Sequence, residues 1–212
     1  PTCLIQMRIL ITGANGYIGQ RLIPALLEQG HELFCCVRSK QRFEQEHKQE
    51  NIHITEVDFL KDPATYDLPQ NIDVAFFLVH SMSAGTGFEE MEKTTAANFI
   101  TAIEKTACKQ IIYLSGIVNE AHLSKHLASR LAVEKILRAS TIPATVLRAG
   151  IIVGSGSASF EIIRDLVEKL PVMITPKWLN TKCQPIAIRN VIEFLSGVML
   201  KEKTYHKDFD IG

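Results

Sequence analysis

Short apolar runs alternate with amphipathic segments along most of this chain. Runs that are apolar at nearly every position are typical of parallel strands covered on both faces. The predicted strands are Arg8–Thr12, Glu32–Val37, Ile52–Val57, Val74–Val79, Gln110–Leu114, Ala144–Arg148 and Asp208–Ile211. The predicted helices are Tyr17–Gln29, Phe88–Thr106, Leu123–Ala139, Phe160–Leu170 and Val191–Leu200. Strands that alternate with helices imply right-handed βαβ crossovers, so the pattern predicts one α/β domain over residues 1–212, with a doubly wound parallel sheet.

A glycine loop joins the first predicted strand to the first predicted helix. Its Gly-x-x-Gly-x-x-Gly spacing lies in the first βαβ unit, the context in which a glycine pattern indicates dinucleotide binding. Gly13 permits the tight turn, Gly16 lets a pyrophosphate approach the backbone, and Gly19 lets the helix pack closely on the strand. The helix N-terminus then offers N–H groups and a partial positive charge to the diphosphate. We therefore predict an NAD(P)-binding Rossmann fold whose cofactor is bound by Gly13, Ala14, Asn15, Gly16, Tyr17, Ile18 and Gly19.

The residues after the second predicted strand indicate which nicotinamide cofactor is bound. A site selective for NAD(H) usually places Asp or Glu there, to bond the ribose hydroxyls. This chain has Arg38, Ser39 and Lys40 instead. Arg38 can pair with a 2′-phosphate, with Ser39 and Lys40 assisting, although a solvated basic turn would have the same sequence. We predict NADP(H) as the cofactor, in preference to NAD(H).

Several segments resemble the short-chain dehydrogenase/reductase superfamily, in its extended and atypical branches. They are Ile11–Gly19, Val57-Asp58-Phe59, Asn98, Ser115 and Leu147–Gly150, with Ala149 where the superfamily has proline. The resemblance implies that Asp58 and Phe59 lie against the adenine. It also implies that Ser115, at the end of the fifth strand, is a catalytic serine.

Two further segments, Leu78–Met82 and Gly154–Phe160, are similar to an atypical group of that superfamily. The group comprises NmrA-like proteins and bacterial proteins labelled nucleoside-diphosphate-sugar epimerases. The resemblance implies that Val79, His80 and Ser81 lie beside the cofactor. His80 is also a candidate for proton transfer, unless it only shapes this loop. In that group the chain continues past the last strand into a substrate-binding part, which we expect to be absent from this sequence.

The superfamily's catalytic motif, a tyrosine with a lysine four residues later, does not occur in this chain. The register of the third predicted helix in the chain places His126 at the tyrosine position and Arg130 at the lysine position. His126 with Ser115 is therefore a candidate acid–base pair, because histidine exchanges protons near neutral pH. Arg130 can bond the ribose hydroxyls of the cofactor or stabilise an anion. The alternative is a relic helix that only binds the cofactor.

A Gly/Ser-rich loop after the sixth strand is predicted to face the substrate, because loops at the carboxyl ends of strands carry specificity. Its predicted substrate contacts are Ser155, Ser157 and Phe160. With Ser159 as N-cap, the following helix would offer its N-terminus to an anionic group, or it would be an ordinary capped helix. A later segment, 184–186, resembles the superfamily's short strand beside the cleft, so residues 151–190 are predicted to contribute to it.

Charge and composition limit the classes of partner, metal site and compartment that this chain can have. The 23 basic and 23 acidic residues balance, so no bulk charge attracts nucleic acid or an anionic membrane. No apolar run approaches the roughly 20 residues that span a bilayer. Five cysteines without metal-ligand spacing predict no metal site and a reducing compartment, the cytoplasm. A homodimer through the helices 88–106 and 123–139 is possible.

Three functions remain open at this point. The leading one is an NADP(H)-dependent oxidoreductase acting on a small organic substrate. The second is a dinucleotide-binding sensor without turnover, and the third is an epimerase-like or dehydratase-like enzyme of sugar nucleotides. The missing tyrosine–lysine motif argues against the third, because removal of hydride from an alcohol requires a strong base.

Overall fold

The computed structural model describes residues 5–80, 87–117, 125–169 and 184–212. Within these ranges the strands are β1 (Arg8–Thr12), β2 (Glu32–Val37), β3 (Ile52–Glu56), β4 (Val74–Phe77), β5 (Gln110–Gly116), β6 (Ala144–Ala149), β7 (Ile151–Val153), β8 (Pro185–Ala187) and β9 (Asp208–Ile211). The helices are α1 (Tyr17–Glu28), α2 (Lys40–Glu46), α3 (Phe88–Ile103), α4 (Lys125–Arg138), α5 (Ala158–Lys169) and α6 (Ile188–Gly197).

Seven of these strands form one parallel sheet in the order β3-β2-β1-β4-β5-β6-β9. The chain reverses its direction of travel across the sheet between β1 and β4, so the predicted doubly wound α/β fold is confirmed. This reversal matters for function, because ligands of such sheets bind at the carboxyl ends of the strands, where the order reverses.

Helices cover both faces of the sheet. Helices α1, α2 and α6 pack on one face and α3 and α4 on the other. Side chains along a strand alternate between the two cores. Ile9 and Ile11 of β1 lie in the core under α1, and Leu10 lies in the core under α3. Both cores exclude water from β1, which explains why its residues read as an unbroken apolar run.

The segment between β6 and β9 departs most from the prediction. Strand β7, which the pattern did not predict, pairs in parallel with β8 in a separate small sheet. The predicted strand 184–186 is confirmed as β8, shifted by one residue. Gly150 permits this arrangement, because a Cβ there would lie 1.9 Å from the carbonyl oxygen of Gln184.

Of the helices in the described ranges, none has both the length and the apolar character needed to cross a membrane.

Candidate active site

A cleft of about 410 Å³ opens at the carboxyl ends of β1 to β4. Its lining residues are Gly13, Asn15, Gly16, Cys36, Val37, Arg38, Val57, Asp58, Phe59, Leu60, Phe77, Leu78, Val79, His80, Met91, Glu92, Thr95 and Val133. Eight of the predicted cofactor-binding residues are therefore cleft residues, contributed by the ends of four different strands. This is the position expected for a dinucleotide in a doubly wound sheet.

The glycine loop has the backbone that its spacing predicts. Gly13 has a φ of 67°, and a Cβ there would lie 2.6 Å from the carbonyl oxygen of Leu78. A Cβ on Gly19 would lie 2.6 Å from the carbonyl oxygen of Gly13, so only glycine lets α1 approach the turn this closely. A Cβ on Gly16 would come within 4 Å of one atom only, at 3.1 Å, which leaves the floor of the cleft open.

The N-terminus of α1 is open toward this floor. Its N-cap, Gly16, has no side chain to bond the first N–H groups, and the first turn contains no acidic residue. The uncompensated N–H groups and the positive end of the helix dipole can therefore accept the diphosphate of a dinucleotide. The glycine cradle and this open helix end fit the cofactor that the loop predicts.

The other side chains of the loop have different surroundings. Asn15 is exposed, Ala14 is fully buried, and Ile18 packs against the core. Tyr17 lies away from the cleft: the guanidinium of Arg21 lies 3.8 Å from the centre of its ring. A Cβ on Gly154 would lie 2.6 Å from the Tyr17 hydroxyl, which has no hydrogen-bond partner among the described residues. The Tyr17 side chain thus packs between the glycine loop and the turn after β7. The predicted contact of Tyr17 with the cofactor would therefore come from its backbone atoms.

At the end of the cleft beside β2, Arg38 and Ser39 are exposed. Among the described residues the Arg38 guanidinium forms no hydrogen bond or ion pair, so it is available to a ligand. A carboxylate that sequence reasoning missed lies nearby. Glu56, which pairs with Val37 across the strands, accepts a hydrogen bond from the Lys40 backbone N–H at 2.8 Å. The end of β2 itself has no acid, but the sheet brings one from β3.

The predicted adenine contacts lie in a turn that α3 holds in place. The Asp58 carboxylate accepts a hydrogen bond from the Leu60 N–H at 3.1 Å, and Phe59 is buried. The Asn98 side chain donates to the carbonyl oxygens of Phe59 at 2.9 Å and of Lys61 at 3.0 Å. Asn98 therefore supports the adenine side of the cleft.

Thr12 shapes the opposite end of the cleft. Its hydroxyl donates to the carbonyl oxygen of Phe76 and accepts from the N–H of Leu78, both at 3.1 Å. These bonds end β4 at Phe77, two residues before the predicted end, and direct Val79 and His80 into the cleft. Ser81, the third residue predicted here, lies outside the described residues.

His80 is neutral at physiological pH. Burial, and then the positive charge of nearby Arg130, lower the pKa of His80 to about 3, against the smaller opposing effect of a hydrogen bond with the backbone of Leu114. A neutral imidazole whose N–H is held by a carbonyl group has one remaining nitrogen, which can only accept a hydrogen bond.

Ser115 and Tyr113 point to the same face of β5, and both are about 1% exposed. Among the described residues the Ser115 hydroxyl has no hydrogen-bond partner. The Tyr113 hydroxyl contacts the carbonyl oxygen of Arg130 at 3.5 Å, and burial raises the pKa of this phenol. Arg130 reaches the end of β5: its Nη1 would lie 3.8 Å from a Cβ on Gly116. Arg130 thus reaches the residue next to Ser115, and both Arg130 and Ser115 lower the pKa of the Tyr113 phenol, against the larger effect of its burial.

The structure does not bring the two members of the predicted acid–base pair, Ser115 and His126, into contact, and their joint role in catalysis stays a prediction. His126 is exposed in the first turn of α4, where its ring stacks on Phe88 with centroids 4.8 Å apart, and it makes no hydrogen bond to Ser115. The first turn of α4, which contains His126, faces the first turn of α3.

Glu92 is a cleft residue that sequence reasoning missed. It lies on α3 and accepts a short hydrogen bond from the hydroxyl of Ser129 on α4. Thr95, one turn later on α3, also lines the cleft. Their spacing of three residues marks a polar stripe in the predicted helix 88–106, which was the available signal. The sequence pattern does not show which strand ends this stripe faces in the fold.

The turn before α5 corrects a second prediction. Ser157, and not Ser159, is the N-cap: its hydroxyl accepts from the Phe160 N–H at 3.2 Å and donates to the Ile152 carbonyl oxygen at 3.0 Å. The Glu161 carboxylate accepts from the Gly156 N–H at 3.1 Å. A carboxylate thus already occupies this helix end, so it does not offer a site to an anionic group.

The residues predicted to contact substrate here differ in exposure. Ser155 is exposed and its carbonyl oxygen accepts from Arg21 at 2.5 Å, Phe160 is partly buried, and Ser157 is buried under the turn.

Comparisons with known proteins agree with this site. The model of the NAD(P)H-binding family matches residues 13–169, which include the glycine loop and α4. The chloroplastic divinyl chlorophyllide a 8-vinyl-reductase of Arabidopsis thaliana is 20% identical over 226 residues, 98% of this chain and 53% of that protein. The chain therefore spans about half the length of this curated relative.

Two solved structures have the same fold. Yeast methylglyoxal/isovaleraldehyde reductase in complex with NADPH is 14% identical, with a TM-score of 0.78 over 97% of this chain and 78% of that one. UDP-glucuronic acid 4-epimerase from Bacillus cereus, in complex with UDP-glucuronic acid and NAD, is 21% identical, with a TM-score of 0.74 over 97% and 77%. These solved structures share the fold of this chain, and the family model shows that the chain belongs to the NAD(P)H-binding family.

Proposed function

We propose that this protein is an NADP(H)-dependent oxidoreductase that acts on a small organic molecule. The observation that carries the cofactor preference is the Arg38 guanidinium, which lines the cleft and forms no ion pair among the described residues. A guanidinium can bond two phosphate oxygens at once, and a 2′-phosphate distinguishes NADP(H) from NAD(H).

Each end of the cleft has one task in this proposal. The glycine loop and the open N-terminus of α1 bind the diphosphate, and the turn at Asp58 and Phe59 receives the adenine. His80, Ser115 and Arg130 surround the end where β4 and β5 terminate, which places the substrate beside the nicotinamide. When bound, the cofactor supplies or accepts a hydride.

The decisive experiment compares NADPH and NADH by calorimetric titration. The wild type should bind NADPH more tightly, and Arg38→Ala should lose roughly ten- to a hundredfold of NADPH affinity, about 1.5–3 kcal/mol, with NADH affinity unchanged. Lys48→Ala is the matched control, since Lys48 is an exposed cation outside the residues that line the cleft. Equal wild-type affinities for the two cofactors would reject the NADP(H) assignment.

A second candidate function is a dinucleotide sensor without turnover. The observation that favours it is the position of His126, which stacks on Phe88 in place of a tyrosine directed at the substrate. A sensor would bind NADP⁺ and NADPH with different affinities but would not consume NADPH with any compound. NADPH oxidation assayed over a panel of aldehydes, quinones and enones separates the two functions.

A further inference from the structure

Two polar groups at the end of β5 have no partner among the described residues. The Ser115 hydroxyl is about 1% exposed and lies beside the Tyr113 hydroxyl, whose pKa it lowers, but no described group meets it in hydrogen-bonding geometry. The Arg130 guanidinium is partly buried and makes neither a hydrogen bond nor an ion pair within the same part of the chain. Burying such donors without an acceptor is costly. The acceptor that would satisfy both is an oxygen of the bound ligand, and the cation favours a negatively charged one.

The neighbouring carboxylates leave that positive charge available. Glu134 pairs with Arg148 at 2.7 Å and with Arg138 at 3.3 Å. Glu92 accepts the hydroxyl of Ser129. No salt bridge joins Arg130 to either carboxylate in the described ranges. The positive charge of Arg130 lowers the pKa of His80 and so helps to keep that imidazole neutral.

The buried or partly buried titratable side chains described around this point are poor proton donors near neutral pH. Arg130 does not deprotonate. His80 has its N–H directed at the Leu114 backbone and carries no extra proton, and Tyr113 is buried with a raised pKa. His126 is exposed against Phe88. The site can therefore stabilise a negative oxygen better than it can protonate one.

We propose, resting on the proposed NADP(H)-dependent function, that Arg130 and Ser115 bind the carbonyl oxygen of an α,β-unsaturated ketone or aldehyde, whose carbon–carbon double bond is the group reduced. The hydride supplied by the bound cofactor forms a C–H bond at the β-carbon. The double-bond electron pair moves toward the carbonyl, giving an enolate oxygen held by Arg130 and Ser115. A proton from water then bonds to the α-carbon and the carbonyl re-forms, so the substrate gains two hydrogens and the dihydronicotinamide is oxidised.

Direct carbonyl reduction fits these residues less well. It would place the full charge on an alkoxide, which is about as basic as hydroxide and needs a proton donor at the oxygen as it forms. An enolate spreads its charge over oxygen and carbon, is far less basic, and can wait for a proton from solvent. Oxyanion stabilisation by fixed donors in a water-poor site is then the main catalytic contribution of the protein.

A binding experiment tests the subsite without turnover. Para-nitrophenol resembles an enolate in its delocalised oxyanion, and its ionisation is visible in its absorption spectrum. Titrated into the NADP⁺-loaded protein, it should bind as the phenolate, with a pKa lower than in water. Arg130→Gln and Ser115→Ala should each weaken phenolate binding roughly tenfold or more, whereas Lys135→Gln, an exposed cation on the same helix, should leave it unchanged. Phenolate binding that is unchanged in Arg130→Gln overturns the proposal.

A turnover experiment tests the substrate class. Cyclohexenone and cyclohexanone differ only in the conjugated double bond, so only cyclohexenone should oxidise NADPH and yield the saturated ketone. Deuterium from labelled NADPH should appear on the β-carbon, and deuterium from heavy water on the α-carbon. An allylic alcohol product, or faster reduction of cyclohexanone, overturns the proposal while leaving the oxidoreductase function standing. If the protein binds NADPH tightly but neither reduces a ketone nor binds the phenolate, the proposal is overturned and the sensor function is favoured.

Discussion

The ring of His126 stacks on the ring of Phe88, with centroids 4.8 Å apart and planes inclined by 28°. This contact joins the first turn of α4 to the first turn of α3 through the face of the imidazole. The buried Ser115 hydroxyl makes no hydrogen bond with His126. His126 therefore contributes to the packing between α3 and α4.

His126→Phe should therefore keep the fold, NADPH binding and any redox turnover, because phenylalanine preserves the stacking surface. Ser115→Ala should lower turnover, and the pH–rate profile of the wild type should show no ionisation assignable to His126. Steady-state kinetics of the two variants and the wild type across pH would check this. A large loss of turnover in a folded His126→Phe protein would restore His126 as the proton donor.

Two glycines of the loop should respond differently to substitution. Gly16 has an extended backbone and open space beside it, so Gly16→Val should fold but lose dinucleotide binding, because its side chain enters the space for the diphosphate. Gly19→Ala should lower the free energy of unfolding by about 1–3 kcal/mol, since its Cβ meets backbone atoms at 2.6–2.8 Å. Thermal denaturation and calorimetric titration of both variants separate these effects. Dinucleotide binding retained by folded Gly16→Val would show that the loop is only a structural turn.

Arg148 should contribute to stability and not to catalysis. Its guanidinium bonds both carboxylate oxygens of buried Glu134, at 2.7 and 3.2 Å, and Asp208 at 2.8 Å. Arg148→Met should lower the free energy of unfolding by about 2–3 kcal/mol, because it leaves Glu134 with fewer partners. The ratio of NADPH to NADH affinity should not change.

Arg189→Met is the matched control for Arg148→Met, since Arg189 is 85% exposed and, among the described residues, pairs only with Glu193 of its own helix, at 3.7 Å. Urea denaturation of both variants measures the difference. Equal stability losses in the two proteins would contradict the structural role of Arg148.

Acid should destabilise the protein partly through His80. Its pKa in the folded protein is about 3, against 6.5 for a free histidine, so between these pH values the unfolded chain binds a proton that the native state does not. The free energy of unfolding should therefore fall as pH falls through this window, by up to about 1.4 kcal/mol per pH unit from this group. His80→Asn, which keeps a hydrogen-bond donor, should flatten that dependence.

Denaturant titrations of wild type and His80→Asn at a series of pH values measure the slope directly. His31, whose pKa burial also lowers, contributes in the same direction and remains in both proteins. Parallel curves for wild type and His80→Asn would mean that His80 titrates normally in the folded state.

The sequence by itself determined the elements and the cofactor loop. The strands could be read because both faces of β1 and β4 are covered, which makes nearly every residue apolar. The roles of Gly13 and Gly19 could be read because they depend on contacts within one strand–turn–helix unit. The boundaries were less certain where a tertiary bond decides them, as Thr12 does for the end of β4.

Only the tertiary structure decided which polar residues meet at the site. Glu56 comes from a neighbouring strand and Glu92 from a crossing helix. Their positions in the sequence do not show that these elements lie close to the site. The stacking of His126 on Phe88 likewise depends on how two helices meet across the sheet, which their separate patterns leave open. A residue's chemistry is local, whereas its partners depend on packing between elements that are distant along the chain.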